Sequence, residues 1–447
     1  MKIELTIAVD YLPGWGVFEG VRELLQNARD AQTELSAPMT VRTRASSDSA
    51  GVLVIENEGC TMPYEALLLG HTSKADRSDL IGKFGEGFKL GILALLRAGH
   101  SVKIRNGSEV WVPSIEQSDR FACRVLTFDI QKGRKNENRV QIEVGNISAE
   151  VYRDEIRPRF LWLDAKDGDL RTDCVKTAYG SLLLSSQHKG RVYVKGIFVE
   201  HKPELTVGFD FEDCEVDRDR KMVSSYDYQW KARQIWTSAL AQRPDLFGQF
   251  LTLVEEKSAD TAGIDDYYAK KLPEAFVDHA VATFDARYGS DAVPVSNLGE
   301  SQDLEHFGRK GVVVSDGLRA IIERTRGPLT KVKDDLRTEV TRTYSWHELS
   351  SDQKANLTRA VALVNAVCAV SVNDIGVCDF RSTDLHGLFS SEGGIKLAAN
   401  VVARRGECLA TLVHEVAHRA GVDGEKGHVA QIERIWSAIV ENIASGS

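Results

Sequence analysis

Two periods of hydrophobic and polar residues run along this chain, and the changes between them mark its elements. The opening MKIELTIAVD alternates at every second position, which predicts a strand. In GVRELLQNARDAQ (20–32) the apolar positions Val21, Leu24, Leu25 and Ala28 fall on one helical face, while Glu23, Asn27 and Asp30 form the opposite stripe. Strand-like runs at 40–44 and 52–55 follow, joined by SSDSAG as a hairpin. Pro63 opens a short helical turn over 64–69, and a polar segment leads to glycines 82, 85 and 87 ahead of an apolar helix over 88–96. Runs at 101–105, 109–113, 121–130 and 139–144 complete an antiparallel sheet with helices on one face. Residues 150–163 read as a helix and 190–200 as a hairpin.

Beyond 224 the pattern predicts helices over 228–240, 269–287 and 317–324, with short apolar runs at 292–295 and 311–314. This is a small α/β connecting region, and Gly327-Pro328 supplies a boundary. From about Tyr344 the pattern changes again: helices over 351–370, 406–420 and 424–443, with one short strand at 393–397. Gly421 stops the middle helix. The predicted fold class is α+β in three parts: an α/β sandwich over 1–185, a connecting region over 186–335 and a mainly helical domain over 336–447.

Size agrees with that partition, since 447 residues exceed what one core supports. A composition of 43% hydrophobic and 27% charged residues is that of a soluble globular protein. The net charge of −9 argues against nucleic acid as a partner, and no apolar run approaches the ~20 residues that cross a bilayer. Seven cysteines without a Cys-x-x-Cys pair fit a reducing compartment, so the expected location is cytoplasmic.

Candidate chemistry appears at both ends. Near the carboxyl end, His414-Glu415-Val416-Ala417-His418 places two imidazoles four residues apart on one helical face, within reach of a single zinc ion. Glu415 beside the first ligand is positioned to deprotonate a water there. Composition alone predicts about 0.02 chance occurrences of His-Glu-x-x-His in such a chain, so the motif carries weight. A third protein ligand is required. His428, ten residues after His418 and past a glycine-rich turn, is favoured; Asp423 competes, a ligand elsewhere stays open, and either residue could instead cap the last helix. The stretch resembles a minimal zinc metallopeptidase (zincin) domain, which implies a protein or peptide substrate aligned along an edge strand at 393–397.

Near the amino end, glycines 82, 85 and 87 would let backbone N–H groups approach phosphate oxygens at the positive end of the following helix. The helix at 20–32, the run GVLVIENEGCTMP (51–63), HTSK (71–74) and this glycine loop resemble, in order and spacing, the nucleotide site of the GHKL ATPases (gyrase, heat-shock chaperone, histidine kinase and MutL). The resemblance covers roughly the first 180 residues. It implies a Bergerat-type sandwich that binds ATP with magnesium, followed by a transducer-like region. Glu23 would deprotonate the attacking water, Asn27 would hold magnesium, and Asp30 would help seat the helix. Gly82, Phe84, Gly85, Gly87 and Phe88 would cradle the phosphates, with Lys74 in a lid nearby. The family's Asp-x-Gly-x-Gly box reads Asn57-Glu58-Gly59-Cys60-Thr61 here. Asn57 can accept from adenine through its amide oxygen, though more weakly than a carboxylate; Thr61 keeps the backbone away from positive φ; Glu56 takes the acidic role if the register shifts by one. Lys195 or Lys221 could reach a terminal phosphate, although a solvated surface lysine is the commoner account of either. Family behaviour also implies a homodimer formed with ATP.

These signals together predict an ATPase whose nucleotide state regulates a zinc-dependent peptidase. The alternative is a non-proteolytic, chaperone-like or clamp-type ATPase in which zinc builds an interaction surface.

Overall fold

The computed structural model describes residues 1–45, 51–68, 86–163, 173–214, 216–217, 225–391 and 394–444. The chain divides into two compact units, Met1–Ala239 and Leu240–Ser447, and the protein is mixed α+β.

The first unit begins with β1 (Lys2–Ala8), α1 (Val17–Leu35), β2 (Met39–Arg44), β3 (Val52–Glu58) and α2 (Gly87–Arg97), then β4 (Val102–Asn106), β5 (Glu109–Ser118), β6 (Cys123–Lys132) and β7 (Arg139–Gly145). The seven strands form one antiparallel sheet in the order β1-β6-β5-β4-β7-β3-β2. Val21, Leu24, Leu25 and Ala28 of α1 share a core with Leu53 and Ile55 of β3, Ile104 of β4, Trp111 of β5 and Phe128 of β6. The apolar stripe read from the sequence therefore packs into the core, and Glu23 and Asp30 of the polar stripe are buried as well. α1 and α2 meet backbone to backbone: a Cβ on Gly20 would lie 2.8 Å from the Gly91 carbonyl, and one on Gly91 would lie 2.9 Å from the Gly20 carbonyl.

The helix expected over 150–163 is shorter and changes pitch. α3 (Ala149–Val151) passes into a π turn (Tyr152–Ile156) and a 3-10 turn (Arg157–Arg159). Pro158 cannot donate to a continuing helical ladder, and Phe160 leaves to bridge Ile197. A second sheet follows, built from β8 (Cys174–Thr177), β9 (Gly180–Leu183), β10 (Arg191–Val194), β11 (Ile197–His201) and β12 (Gly208–Phe211), in the order β11-β10-β12-β9-β8. The expected hairpin over 190–200 is present as β10 and β11. α4 (Ser225–Gln242) ends this part of the chain.

The second unit holds α5 (Phe247–Glu255), α6 (Asp266–Ala269), α7 (Glu274–Tyr288), β13 (Val293–Val295), α8 (Leu298–Glu305), β14 (Gly311–Val313), α9 (Asp316–Arg326) and α10 (Leu329–Thr338). The helix expected over 269–287 begins only at Glu274, after Pro273, and Ala269 instead closes the short α6. The chain continues through β15 (Val340–Tyr344), α11 (Ser351–Asn365), β16 (Ile375–Phe380), β17 (Gly387–Ser390), β18 (Gly394–Ala398), α12 (Ala399–Val402), α13 (Arg405–Ala417) and α14 (Lys426–Ala444). α11 stops at Asn365, whose side chain accepts from the Val370 amide, five residues short of the expected end.

β15 to β18 form a sheet in the order β15-β16-β18-β17. The strand expected at 393–397 is thus an inner one, parallel to β16 on one side and antiparallel to β17 on the other. The edge beside α13 is β17. Leu412, Val413 and Val416 of α13 share a core with Leu357 and Val361 of α11, Ile395 and Leu397 of β18, and Ile435 and Ile439 of α14. Among the described residues no helix is long and apolar enough to cross a membrane.

Candidate metal centre and nucleotide site

α13 turns its apolar residues toward the core, which leaves His414 on the accessible side and places His418 at the helix end, where a 3-10 turn (His418–Ala420) begins. Arg419 anchors that turn by donating to the Ala369 carbonyl at 2.6 Å. The chain then reverses. Gly424 has a φ of +80°, open to glycine at little cost, and Gly427 packs against the Ala420 carbonyl where a Cβ would collide. The reversal returns His428, in the first turn of α14, to the two histidines of the motif.

The ring centroids lie 4.9 Å apart for His414 and His418, 5.0 Å for His414 and His428, and 4.5 Å for His418 and His428. Oδ1 of Asp423 sits 3.3, 3.7 and 3.6 Å from Nε2 of His414, His418 and His428 respectively. One ligand atom from each of the four residues lies within 4.8 Å of every other, so the cluster could hold a metal ion. Both residues weighed for the third ligand are therefore present at the cluster, and they differ in setting. The side chain of His428 is 4% exposed and its Nε2 has no hydrogen-bond partner among the described residues, whereas that of Asp423 is 73% exposed. A buried nitrogen with no partner costs free energy, and coordination to a metal would remove that cost. His418 turns Nδ1 to the Gly421 carbonyl at 3.3 Å; donation there leaves Nε2 as the lone-pair nitrogen. Burial lowers the His414 pKa, and its histidine neighbours act in the same direction, against Asp423. These donors fit zinc.

Glu415 is buried on the β17 side of α13. Burial pushes its pKa up to about 7, the Asp423 charge adds to the rise, and a hydrogen bond from the Phe389 backbone opposes it. A Cβ on Gly387 would fall 2.6 Å from Oε1 of Glu415 and 2.8 Å from Cγ2 of Thr411, so the glutamate occupies the space that glycine leaves. Ala398 N donates to His386 O, which makes 386/398 a hydrogen-bonded pair. By alternation along β17 and β18, the backbone polar groups of Gly387 and Phe389 point away from β18, off the sheet edge. Sequence reasoning missed this edge and the Phe389 ring, which stacks on His418 at 6.3 Å. Its trace in the sequence is four residues, Gly387 to Ser390, too few to show a period.

In the first unit, Glu23 is buried with its carboxylate against Gly87, the first residue of α2. Arg22 Nε donates to the other carboxylate oxygen at 3.1 Å. Asn27 folds its amide nitrogen onto the Glu23 carbonyl at 2.6 Å, and Asp30 is buried one turn further along. Asn57 is also buried, and its amide nitrogen donates to the carbonyls of Ala28 and Ala37 at 2.9 and 3.0 Å. That group straps β3 to α1 and leaves the amide oxygen as acceptor. The register-shifted alternative fails: Glu56 alternates to the opposite face of β3, where Gln141, Arg42 and Arg139 hold it. Burial opposes its charge, yet these three partners keep its carboxyl below the usual range.

Gly59 takes a φ of +80° with open space around it, and Thr61 is outside the positive-φ set, as its side chain requires. Phe88 is buried in the core, so only its backbone is left for a ligand. Lys195 sits in the left-handed turn between β10 and β11, with a φ of +52°. Lys74, Gly82, Phe84, Gly85 and Lys221 lie outside the described residues. No protein-family model and no curated protein matches this chain.

Proposed function

We propose that this protein is a zinc-dependent peptidase, zincin-like in its second unit, with a Bergerat-type ATPase in its first whose nucleotide state regulates cleavage. The observation that carries the peptidase reading is the convergence of His414, His418 and His428 through Nε2, with buried Glu415 beside them facing the β17 edge. The three histidines would hold zinc, which when bound supplies an activated water and polarises a carbonyl. Glu415, with its pKa near neutrality, is suited to take a proton from the attacking water and return it to the departing amine. The Phe389 carbonyl and the Gly387 backbone offer pairing groups to an extended peptide.

The ATPase reading is supported by the antiparallel sheet with α1 and α2 on one face and by the seating of Glu23 against the start of α2. Glu23 would orient water at a terminal phosphate, and Asn27, whose amide nitrogen is turned to the Glu23 carbonyl, would hold magnesium through its amide oxygen. The regulatory link rests on both sites sharing one chain.

One observation favours a second reading, a non-proteolytic ATPase with a zinc-bearing interaction domain. Asp423 stands among the three nitrogens, and four protein ligands are the mark of structural zinc. The test is a zinc assay with a casein-cleavage assay on the 447-residue chain and its Glu415→Gln variant. One zinc per chain in both, with cleavage by the parent alone, supports the peptidase. Zinc without cleavage in either leaves the second reading. A Glu23→Ala variant that cleaves identically with and without ATP, while the parent responds to ATP, supports the regulatory link.

A further inference from the structure

We infer that Asp423 is the fourth ligand of the resting zinc site, occupying the position an attacking water needs, and that it must be withdrawn before the site can act. This rests on the peptidase reading and concerns how the same site is controlled.

Zinc bonds of about 2.0–2.2 Å to nitrogen and oxygen, arranged tetrahedrally, set ligand atoms about 3.3–3.5 Å apart. Oδ1 of Asp423 lies 3.3, 3.6 and 3.7 Å from the three Nε2 atoms. It therefore stands at that separation from His414 and within about 0.2 Å of it from His418 and His428, close to a fourth vertex for all three nitrogens at once. An aspartate poised merely as an outer partner would meet one imidazole, normally at Nδ1, and leave the others.

The setting of Asp423 separates it from the other three. Its side chain is 73% exposed against 4% for His428, and its neighbours Val422, Gly424, Glu425 and Lys426 are exposed as well. Gly424 beside it adopts a left-handed φ of +80°. Moving this carboxylate into water uncovers no core, because Asp423 is exposed. Moving His428 would instead pull a buried ring out of its packing. The site therefore combines three fixed nitrogen ligands with one oxygen ligand on an exposed loop. That division suits a closed resting state opened by a local loop movement.

The experiment uses the full chain as parent, Asp423→Ala and Asp423→Asn. Asp423 is exposed, so both variants keep the fold. Zinc affinity, read by competition with a chromogenic chelator, falls about 10- to 100-fold in both variants, on the scale of losing an ordered partner of a metal site. Cobalt replaces zinc for the second readout, the visible spectrum with azide added. Azide shifts the spectrum of both variants, which have an open position, and leaves the parent unchanged. A parent that responds to azide as the variants do, or variants that bind zinc as tightly as the parent, would overturn the assignment. Casein cleavage is scored separately: its absence from parent and variants alike removes the peptidase reading, while the azide result still decides the ligand.

Discussion

The carboxylate of Glu23 lies against the α-carbon of Gly87, so closely that a methyl group there would overlap Oε2. α1 and α2 can seat the acid at the start of α2 only because position 87 carries no side chain. Gly87→Ala should therefore cost about 1–3 kcal/mol through overpacking. Glu23→Ala in the same chain should return most of that loss, a non-additivity expected of two residues in contact. Chemical denaturation of the two single variants and the double variant measures it; purely additive losses would mean that the two positions do not compete for space.

The second unit repeats the device. Gly387 leaves the space in which Glu415 sits, with 2.6 Å between Oε1 and the position of an added Cβ. Gly387→Ala should displace the glutamate while leaving the three histidines in place. The expected outcome is zinc content equal to the parent and casein cleavage lost to the degree seen for Glu415→Gln. Loss of zinc together with cleavage would show that the whole site, and not the acid alone, had been disturbed.

What could be read from the sequence followed the range of the interactions. The histidine pair at 414 and 418 is a contact within one helix, and its spacing states it outright. The polar stripe of α1 was legible for the same reason, as was the β10–β11 hairpin. Asp423 and His428 were both visible as candidates, but their meeting around one point depends on the reversal near Gly424 and Gly427, a three-dimensional fact. The edge strand was misplaced because 394–398 has the stronger strand pattern, whereas β17 is short and owes its place to pairing with β18. The same limit applies to Glu56 and Asn57. Both are buried, and only the alternation of β3 against α1 decides which one faces the helices.

Lys89 gives a prediction in pH. Its side chain is buried on α2, and Nζ donates to the carbonyls of Ala66 and Leu68 at 2.9 and 2.8 Å. Burial pushes its pKa down to about 8, against a small rise from Glu86. Between about 8 and the ordinary lysine value of 10.5, the unfolded chain holds a proton that the folded chain has released. Stability from this group therefore rises with pH across that window and is flat on either side. Lys89→Met should remove the slope, so the parent gains on the variant as pH increases. Urea unfolding at several pH values checks it, and a parent that instead lost ground to the variant in that window would reverse the sign.

His428 separates the cost of an empty site from the gain of a filled one. Among the described residues Nε2 is buried without a hydrogen-bond partner, a defect on the order of 1–3 kcal/mol when no metal is bound. Replacing the ring by one of similar shape and no nitrogen, His428→Phe, removes the defect and one ligand together. The chelator-treated variant should therefore unfold at a higher temperature than the chelator-treated parent. Added zinc should reverse the order, because an ion bound only by the folded state stabilises the parent in proportion to the logarithm of its excess over Kd. The variant, left with His414 and His418 and the exposed Asp423, should respond far less. Thermal melts with chelator and with zinc give both comparisons in one experiment. A parent already more stable than the variant without metal would mean that His428 is held by packing contacts rather than kept for an ion.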